Sequence, residues 1–264
     1  MATVTSADGT TIAYETQGSG PALIVVDGAM CYRDQGPSRD LAGALADTYT
    51  VVIYDRRGRG ESGNTLPWSA EREIEDLAAL LEAAGGTAYL VGCSSGAVLA
   101  ADAAARLDGV TKLALYEPPF IVDDTRPARP DTFTAETEAL IARGDTGGAV
   151  KKFLKDVGMP AFAVHILGLT PVFKKLRAVA PTLPYDQHIL GDTSRGVPLD
   201  ASRWAGVTVP AIVMDGGKSP QYMRNAAKAL SEALPKADYR TLPGQTHMVK
   251  AGVVGPAVKE FLGR

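Results

Sequence analysis

A five-residue segment, Gly92-Cys93-Ser94-Ser95-Gly96, places the tightest constraint on how this chain can fold. It follows a short apolar run at 88–91 and precedes an alanine-rich stretch at 97–106. The first run is typical of a buried strand and the second of a buried helix. Glycine at both flanks lets a strand and a helix pack closely around a sharp turn. The sequence therefore predicts a strand, a tight turn with Ser94 at its corner, and a helix.

Strand and helix patterns alternate along most of the chain. Two β-rich runs around Asp8-Gly9 predict an opening hairpin, because Asp-Gly suits the positive φ of a tight turn. Apolar runs with short links to amphipathic segments predict a doubly wound, mostly parallel sheet of eight strands, with ligands bound beyond the carboxyl ends. Further strands are predicted at 21–26, 49–54, 110–116, 209–214 and 238–242, and helices at 38–47, 69–84, 221–234 and 255–262.

The alternation stops after Pro118-Pro119 and resumes only near residue 209. In between, the segments 132–143, 146–157 and 171–180 have helical patterns and no segment is typical of a strand. We predict a helical cap at 120–205, inserted after the sixth strand of an α/β core that comprises 1–119 and 206–264.

Composition limits the classes of partner. The chain has 264 residues, 45% of them hydrophobic, and a net charge of −3, so it lacks the basic surface that nucleic acids or anionic membranes require. With that charge, we expect the partner to be a neutral or apolar small molecule. No targeting segment or membrane span is evident, which predicts a cytoplasmic protein. Its two cysteines, Cys31 and Cys93, have no metal-type spacing, so we expect no metal. The sequence does not decide whether the two cysteines form a disulfide. It also does not decide whether the protein is a homodimer.

The hydroxyl of Ser94 is a potential nucleophile, but a serine needs a neighbouring base. The chain offers three histidines. His247 follows the last predicted strand, so a parallel sheet returns it to the edge where Ser94 lies, whereas His165 and His188 belong to the predicted cap. We therefore predict His247 as the base. Acyl transfer also needs oxyanion donors, which we expect from the amide of Ser95 and from Gly28-Ala29.

Four segments in this order and spacing resemble the α/β-hydrolase superfamily over nearly the whole chain. They are Asp27-Gly28, Asp55-Arg56-Arg57-Gly58-Arg59-Gly60-Glu61-Ser62, Gly92-Cys93-Ser94-Ser95-Gly96 and Gly244-Gln245-Thr246-His247. The resemblance implies a nucleophile elbow at Ser94 and a chiefly structural role for the arginine-rich turn. Most relatives have His-Gly where this chain has Asp27-Gly28, and we expect Asp27 to brace the loop.

The acid that orients the histidine departs from the usual pattern. Relatives place it a few residues after the seventh strand, where this chain has 215–220 with Asp215 as the one carboxylate. Glu117, directly after the sixth strand, offers an alternative. Fungal zearalenone lactonases look similar, because they combine Asp-Gly, a Gly-Cys-Ser-Ser-Gly elbow and a glutamate after the sixth strand. We predict Glu117 as the acid and keep Asp215 as the second choice.

Several apolar residues are candidates to line a substrate pocket, although ordinary packing explains each of them equally well. All lie in or beside a loop at the carboxyl edge of the sheet or in the cap. They are Met30, Tyr32, Phe120, Phe162, Trp204 and Met248.

The leading functional hypothesis is a cofactor-independent serine hydrolase that cleaves a carboxylic ester or lactone through an acyl-enzyme. This hydrolase chemistry needs no cofactor, and we expect none. The fold and the catalytic residues do not determine which bond of the substrate is cleaved. Carbon-carbon bond hydrolysis, haloperoxidase-like chemistry and lyase chemistry therefore stay open, as does a non-catalytic small-molecule receptor.

Overall fold

The computed structural model describes residues 2–263, in which eight strands form one sheet of order β1-β2-β4-β3-β5-β6-β7-β8. The pairs β1–β2 and β2–β4 are antiparallel and all other neighbours are parallel, which confirms the predicted fold class. The strands are β1 (Ala2–Thr5), β2 (Thr11–Gln17), β3 (Ala22–Val26), β4 (Thr50–Tyr54), β5 (Ala88–Cys93), β6 (Val110–Tyr116), β7 (Ala211–Gly216) and β8 (Ala237–Leu242).

Helices cover both faces of the sheet, so the central strands are apolar on both sides. In β3, Leu23 and Val25 pack in one apolar cluster with the first and the last helix of the chain, whereas Ile24 and Val26 pack in the other. This two-residue period explains why a doubly covered strand appears as a continuous apolar run. The helices of the core are α1 (Ser38–Leu45), α2 (Ala70–Ala83), α3 (Ser95–Ala104), α9 (Gln221–Ala233) and α10 (Ala251–Leu262).

Five helices lie between β6 and β7, and we call them the cap helices. They are α4 (Phe133–Ala142), α5 (Thr146–Asp156), α6 (Ala161–Leu167), α7 (Pro171–Val179) and α8 (Leu183–Leu190). The sequence patterns did not identify α6 and α8. The cap helices share a small apolar cluster that includes Met30 of the core. At the end of α8, Ile189 and Leu190 belong to the main apolar cluster of the core. The predicted division into an α/β core and a helical cap stays a prediction.

No helix within residues 2–263 combines the length and the apolar character that crossing a membrane requires. Cys31 and Cys93 are both free thiols. The described residues also contain no group of three or more His, Cys, Asp or Glu side chains that could hold a metal ion.

Candidate active site

Ser94 occupies a strained corner between β5 and α3, with φ 56° and ψ −129°. Both flanking glycines are required by packing. A Cβ atom on Gly92 would lie 2.6 Å from the Cα of Ala97, and one on Gly96 would lie 2.2 Å from the carbonyl oxygen of Val26. The Ser94 amide donates to the carbonyl of Tyr116 at 2.9 Å, which joins the corner to the end of β6. The predicted strand, turn and helix are thus present.

Left-handed backbone conformations cluster around this corner. Among residues 2–263 three non-glycine residues have positive φ: Met30 at 66°, Ser94 at 56° and Glu117 at 48°. They follow β3, β5 and β6, which are neighbours in the sheet. Such conformations are costly for residues with a Cβ and concentrate at functional sites. The backbone conformation therefore indicates a functional site at the edge of the sheet where β3, β5 and β6 end.

The loop after β3 passes directly against Ser94. A Cβ atom on Gly28 would lie 2.8 Å from the Cβ and 3.4 Å from the Oγ of Ser94, so only glycine permits this approach. Within residues 2–263 the amides of Ala29 and Ser95 donate no hydrogen bond. Ser95 is also the first residue of α3, where the helix dipole favours negative charge. Gly28 thus lies against Ser94, and in the described part of the chain the amides of Ala29 and Ser95 are not engaged as donors.

Glu117 contacts His247. The Oε2 atom of Glu117 lies 2.8 Å from Nδ1 of His247, and its Oε1 atom accepts a hydrogen bond from the Gly216 amide at 2.7 Å. Glu117 has no exposed surface, whereas the His247 side chain is 42% exposed. The hydroxyl of Tyr116 donates to the Thr246 carbonyl at 2.7 Å and so fixes the loop that carries His247. The partly exposed His247 ring is therefore held by a buried carboxylate.

Asp215, the second choice for the acid, has a different partner. It lies within β7 and its Oδ2 atom accepts a hydrogen bond from the Tyr239 hydroxyl at 2.7 Å. Its Oδ1 atom is buried without a hydrogen-bond partner. No hydrogen bond joins Asp215 to His247 in the described part of the chain. Of the two candidate acids, the structure therefore brings only Glu117 to the histidine.

Asp27 is buried at the start of the loop after β3 and accepts a hydrogen bond from the Ser38 hydroxyl. Burial raises the pKa of Asp27 to about 6, although the Ser38 hydrogen bond and the charges of Arg59 and Arg56 act in the opposite direction. Burial, with a smaller contribution from Asp27, likewise raises the pKa of the Cys31 thiol to about 12. The thiol next to the loop is therefore protonated and a poor nucleophile.

The pocket candidates separate into three groups. Met30 and Tyr32 contact the apolar cluster of the cap helices, and Phe162 and Met248 are 70% and 75% exposed. For Phe120 and Trp204 the pocket hypothesis is wrong. Both have no exposed surface and their rings pack 5.8 Å apart in the main core cluster. They fill the junction between the core and the segment after β6, so a substrate has no face of either ring to contact.

The sequence analysis did not identify one buried residue near Ser94, the cap residue Asp186. Its carboxylate forms buried salt bridges with Arg56 at 2.7 Å and with Arg59 at 2.6 Å. The signal was available in part, because two arginines that follow a buried strand need buried acids. The identity of the acid could not be predicted, since Asp186 lies about 130 residues away in a helix that the sequence patterns did not reveal.

Comparison with known proteins agrees with this geometry. Residues 23–249 match the Alpha/beta hydrolase family. An alpha/beta hydrolase from Sphaerobacter thermophilus DSM 20745 is 45% identical over 99% of this chain and 100% of its own, with a TM-score of 0.90.

Two further proteins are less similar. An uncharacterized hydrolase, YraK, of Bacillus subtilis (strain 168) is 38% identical over 98 residues, which are 36% of this chain and 35% of that protein. The match thus spans about a third of the length of this curated relative. A thermophilic esterase from Thermogutta terrifontis is 21% identical over 99% of this chain and 97% of its own, with a TM-score of 0.68, and shares the fold. By the match over residues 23–249 and the full-length similarity to the Sphaerobacter protein, this chain belongs to the alpha/beta hydrolase family.

Proposed function

We propose that this protein is a cofactor-independent serine hydrolase that cleaves a carboxylic ester or a lactone through an acyl-enzyme. The observation that carries the proposal is the 2.8 Å contact between Glu117 and His247 at the edge of the sheet where Ser94 lies. A histidine that a carboxylate orients is the base that makes a serine of the same active site nucleophilic.

In the proposed first half-reaction, Ser94 Oγ attacks the substrate carbonyl while His247 Nε2 takes the hydroxyl proton. Glu117 accepts the Nδ1–H hydrogen bond, which selects the tautomer and stabilises the imidazolium that forms. The amides of Ala29 and Ser95 donate to the developing oxyanion. His247 then gives its proton to the leaving alkoxide, and the alcohol departs from the acyl-enzyme.

In the second half-reaction a water molecule attacks the acyl carbon and His247 takes its proton. The proton then passes to Ser94 Oγ as the acid leaves and the serine is restored. For a lactone the alcohol and the acid belong to one molecule, so a single ring-opened hydroxy acid departs. The His247 side chain is 42% exposed, so water can reach it for this step.

We further propose a neutral or apolar substrate. Met248, next to His247, is 75% exposed, and Met30 and Tyr32 contact the apolar cluster of the cap helices. That the chain resembles the fungal zearalenone lactonases in particular stays a prediction. Turnover of a macrocyclic lactone would test it. A cytoplasmic location also stays a prediction.

The test is covalent labelling with a fluorophosphonate, followed by peptide mass spectrometry. We expect the label on Ser94 in the wild type and none on Ser94→Ala. The matched control is Ser95→Ala, which changes the neighbouring serine but keeps its backbone amide, and it should still label at Ser94. A wild type that does not label, or a Ser94→Ala variant that labels equally, contradicts the nucleophile assignment.

A substrate panel separates ester from lactone. We expect turnover of p-nitrophenyl acetate or of a macrocyclic lactone by the wild type and loss of that turnover in Ser94→Ala. Labelling of Ser94 without hydrolysis of any ester or lactone would indicate that the same residues act on a different bond.

A further inference from the structure

A buried carboxylate of the cap helices joins two buried arginines to the Ser94 corner. Asp186 lies in the first turn of α8 with its side chain 5% exposed. Its Oδ1 atom accepts hydrogen bonds from Arg56 Nη1 at 2.7 Å and from Ser95 Oγ at 2.8 Å. Its Oδ2 atom accepts from Arg59 Nη2 at 2.6 Å. One carboxylate thus binds three groups from two segments of the core.

This carboxylate is ionised at neutral pH. Burial alone would raise the pKa of Asp186, but the charges of Arg59 and Arg56 and the hydrogen bond from Ser95 outweigh burial and lower it. Arg56 has a second counter-ion, because Glu73 accepts from its Nε and Nη2 atoms at 2.6 and 2.9 Å. Paired on both sides, its guanidinium has little freedom to reorient.

The same two arginines hold the loop after β3 by its carbonyl groups. Arg59 Nη1 donates to the Gly28 carbonyl at 2.7 Å and to the Cys31 carbonyl at 3.2 Å. Arg56 Nη1 donates to the Asp27 carbonyl at 3.2 Å. Three carbonyls of residues 27–31 are therefore bound by guanidinium groups that Asp186 keeps in place.

Carbonyl direction decides amide direction in such a loop. The Gly28 carbonyl and the Ala29 N–H belong to one planar trans peptide group, in which they point in opposite directions. A charge-assisted hydrogen bond from Arg59 to that carbonyl therefore sets where the Ala29 N–H points. It also polarises the peptide group, which makes the N–H a stronger donor.

We propose that Asp186 is a positioning residue for the oxyanion donors. By binding Arg56, Arg59 and Ser95 together, it sets the direction of the Ala29 and Ser95 amides toward the Ser94 corner. This inference rests on the proposed function, because that function makes those amides oxyanion donors. Its consequence is that the donors are aligned only while α8 is packed on the core.

The third arginine of the same turn provides a matched control. Arg57 has no exposed surface and its guanidinium contacts Asp76 at 2.6 and 2.8 Å. Its remaining hydrogen bonds go to Asp8, Ser6 and the Arg72 carbonyl, none of which lies in residues 27–31. Asp76→Asn therefore breaks a buried arginine pair without changing the support of the loop.

The experiment compares the steady-state hydrolysis of p-nitrophenyl acetate by the wild type, Asp186→Asn and Asp76→Asn. Removing one oxyanion donor lowers kcat by about 10² to 10³, so we expect misdirection in Asp186→Asn to lower kcat by about 10- to 100-fold. KM should stay within about threefold, since the effect belongs to the transition state. Asp76→Asn should keep kcat within about threefold. Phenylboronic acid, which forms a tetrahedral adduct on the serine, should lose affinity only in Asp186→Asn.

A second measurement follows the loop itself without any turnover. We expect hydrogen–deuterium exchange in the peptide that spans 27–32 to be faster in Asp186→Asn and unchanged in Asp76→Asn. If Asp186→Asn does not fold, Ser95→Ala removes one of the three contacts of Asp186 while both arginines stay paired. That variant should lower kcat by a smaller factor, up to about tenfold.

Unchanged kcat and unchanged exchange in Asp186→Asn would overturn the proposal, and so would equal losses in Asp186→Asn and Asp76→Asn. For Ser95→Ala, the overturning result is wild-type kcat. Failure of the proposed function looks different, because the wild type would then neither label nor turn over ester. In that case the exchange comparison still decides whether Asp186 positions the loop.

Discussion

Glu117 and Asp215 are buried carboxyl groups at the ends of neighbouring strands, yet only one of them contacts a histidine. Neither has any exposed surface. Glu117 follows the last residue of β6 with φ 48°, where its side chain leaves the sheet and contacts His247. Asp215 still belongs to β7, so the pleat directs its side chain to Tyr239 of β8. The comparison teaches that position relative to the strand end decides the partner, since burial and charge type are the same.

The largest expected effect is that of Glu117→Gln. Glutamine keeps the volume but has only one oxygen, which must accept from the Gly216 amide. Its amide nitrogen therefore faces His247 and cannot accept the Nδ1–H bond, so the wrong tautomer is favoured. The equivalent change in a known triad lowers kcat by about 10⁴, and we expect a loss of about 10³ to 10⁴ with little change in KM. Steady-state kinetics on the ester that the wild type hydrolyses provide the measurement. A loss below tenfold would contradict the role proposed for Glu117.

Asp27, a third buried carboxyl, follows β3 and should give a smaller effect, on stability. Because its pKa is raised from 3.8 to about 6, the folded state binds more protons than the unfolded state between these values. The free energy of unfolding therefore falls as the pH rises through this window and stays low above it. Asp27→Asn cannot ionise and escapes this loss.

We expect the stability of Asp27→Asn relative to the wild type to rise by about 1–2 kcal/mol between pH 5 and pH 8. Urea unfolding at both pH values measures this difference. Comparing two pH values removes the pH-independent cost of placing an amide in the buried site. A constant difference would show that Asp27 has similar pKa values in the folded and unfolded states.

Asp215→Asn should have the smallest effect on activity. Its hydrogen bond goes to Tyr239 and not to His247, so we expect kcat to stay within about threefold of the wild type. Tyr239→Phe, which removes the same hydrogen bond from the other side, is the matched variant and should behave alike. If Asp215→Asn instead lowers kcat as strongly as Glu117→Gln, the contrast between the two strand ends is wrong.

The sequence was sufficient for the sheet because doubly covered strands such as β3 and β5 leave continuous apolar runs. The Asp8-Gly9 hairpin and the turn at Ser94 were predicted for local steric reasons, and the structure has both. The cap was harder. In α8 a proline at its second position and a short length weaken the helical pattern, so its bounds and its buried acid could not be identified.

The candidate site was predictable as far as strand order fixes it. Glu117 and His247 follow strands whose carboxyl ends lie at one edge, so their meeting follows from a parallel sheet. The choice against Asp215 needed side-chain directions. The pocket hypothesis for Phe120 and Trp204 was wrong because an aromatic residue near a loop packs equally well inward, and only tertiary contacts decide which happens.

The left-handed backbone at Ser94 and Glu117 sets the stability of the fold against activity at these two positions. Each such residue costs on the order of 1 kcal/mol or more. Glycine relieves that cost but removes the side chain, so the substitutions that best relax the backbone at Ser94 and Glu117 also delete the proposed nucleophile and acid. Engineering for heat tolerance without an activity screen would therefore erode this edge of the sheet first, because the folded state gains most where the chemistry loses most.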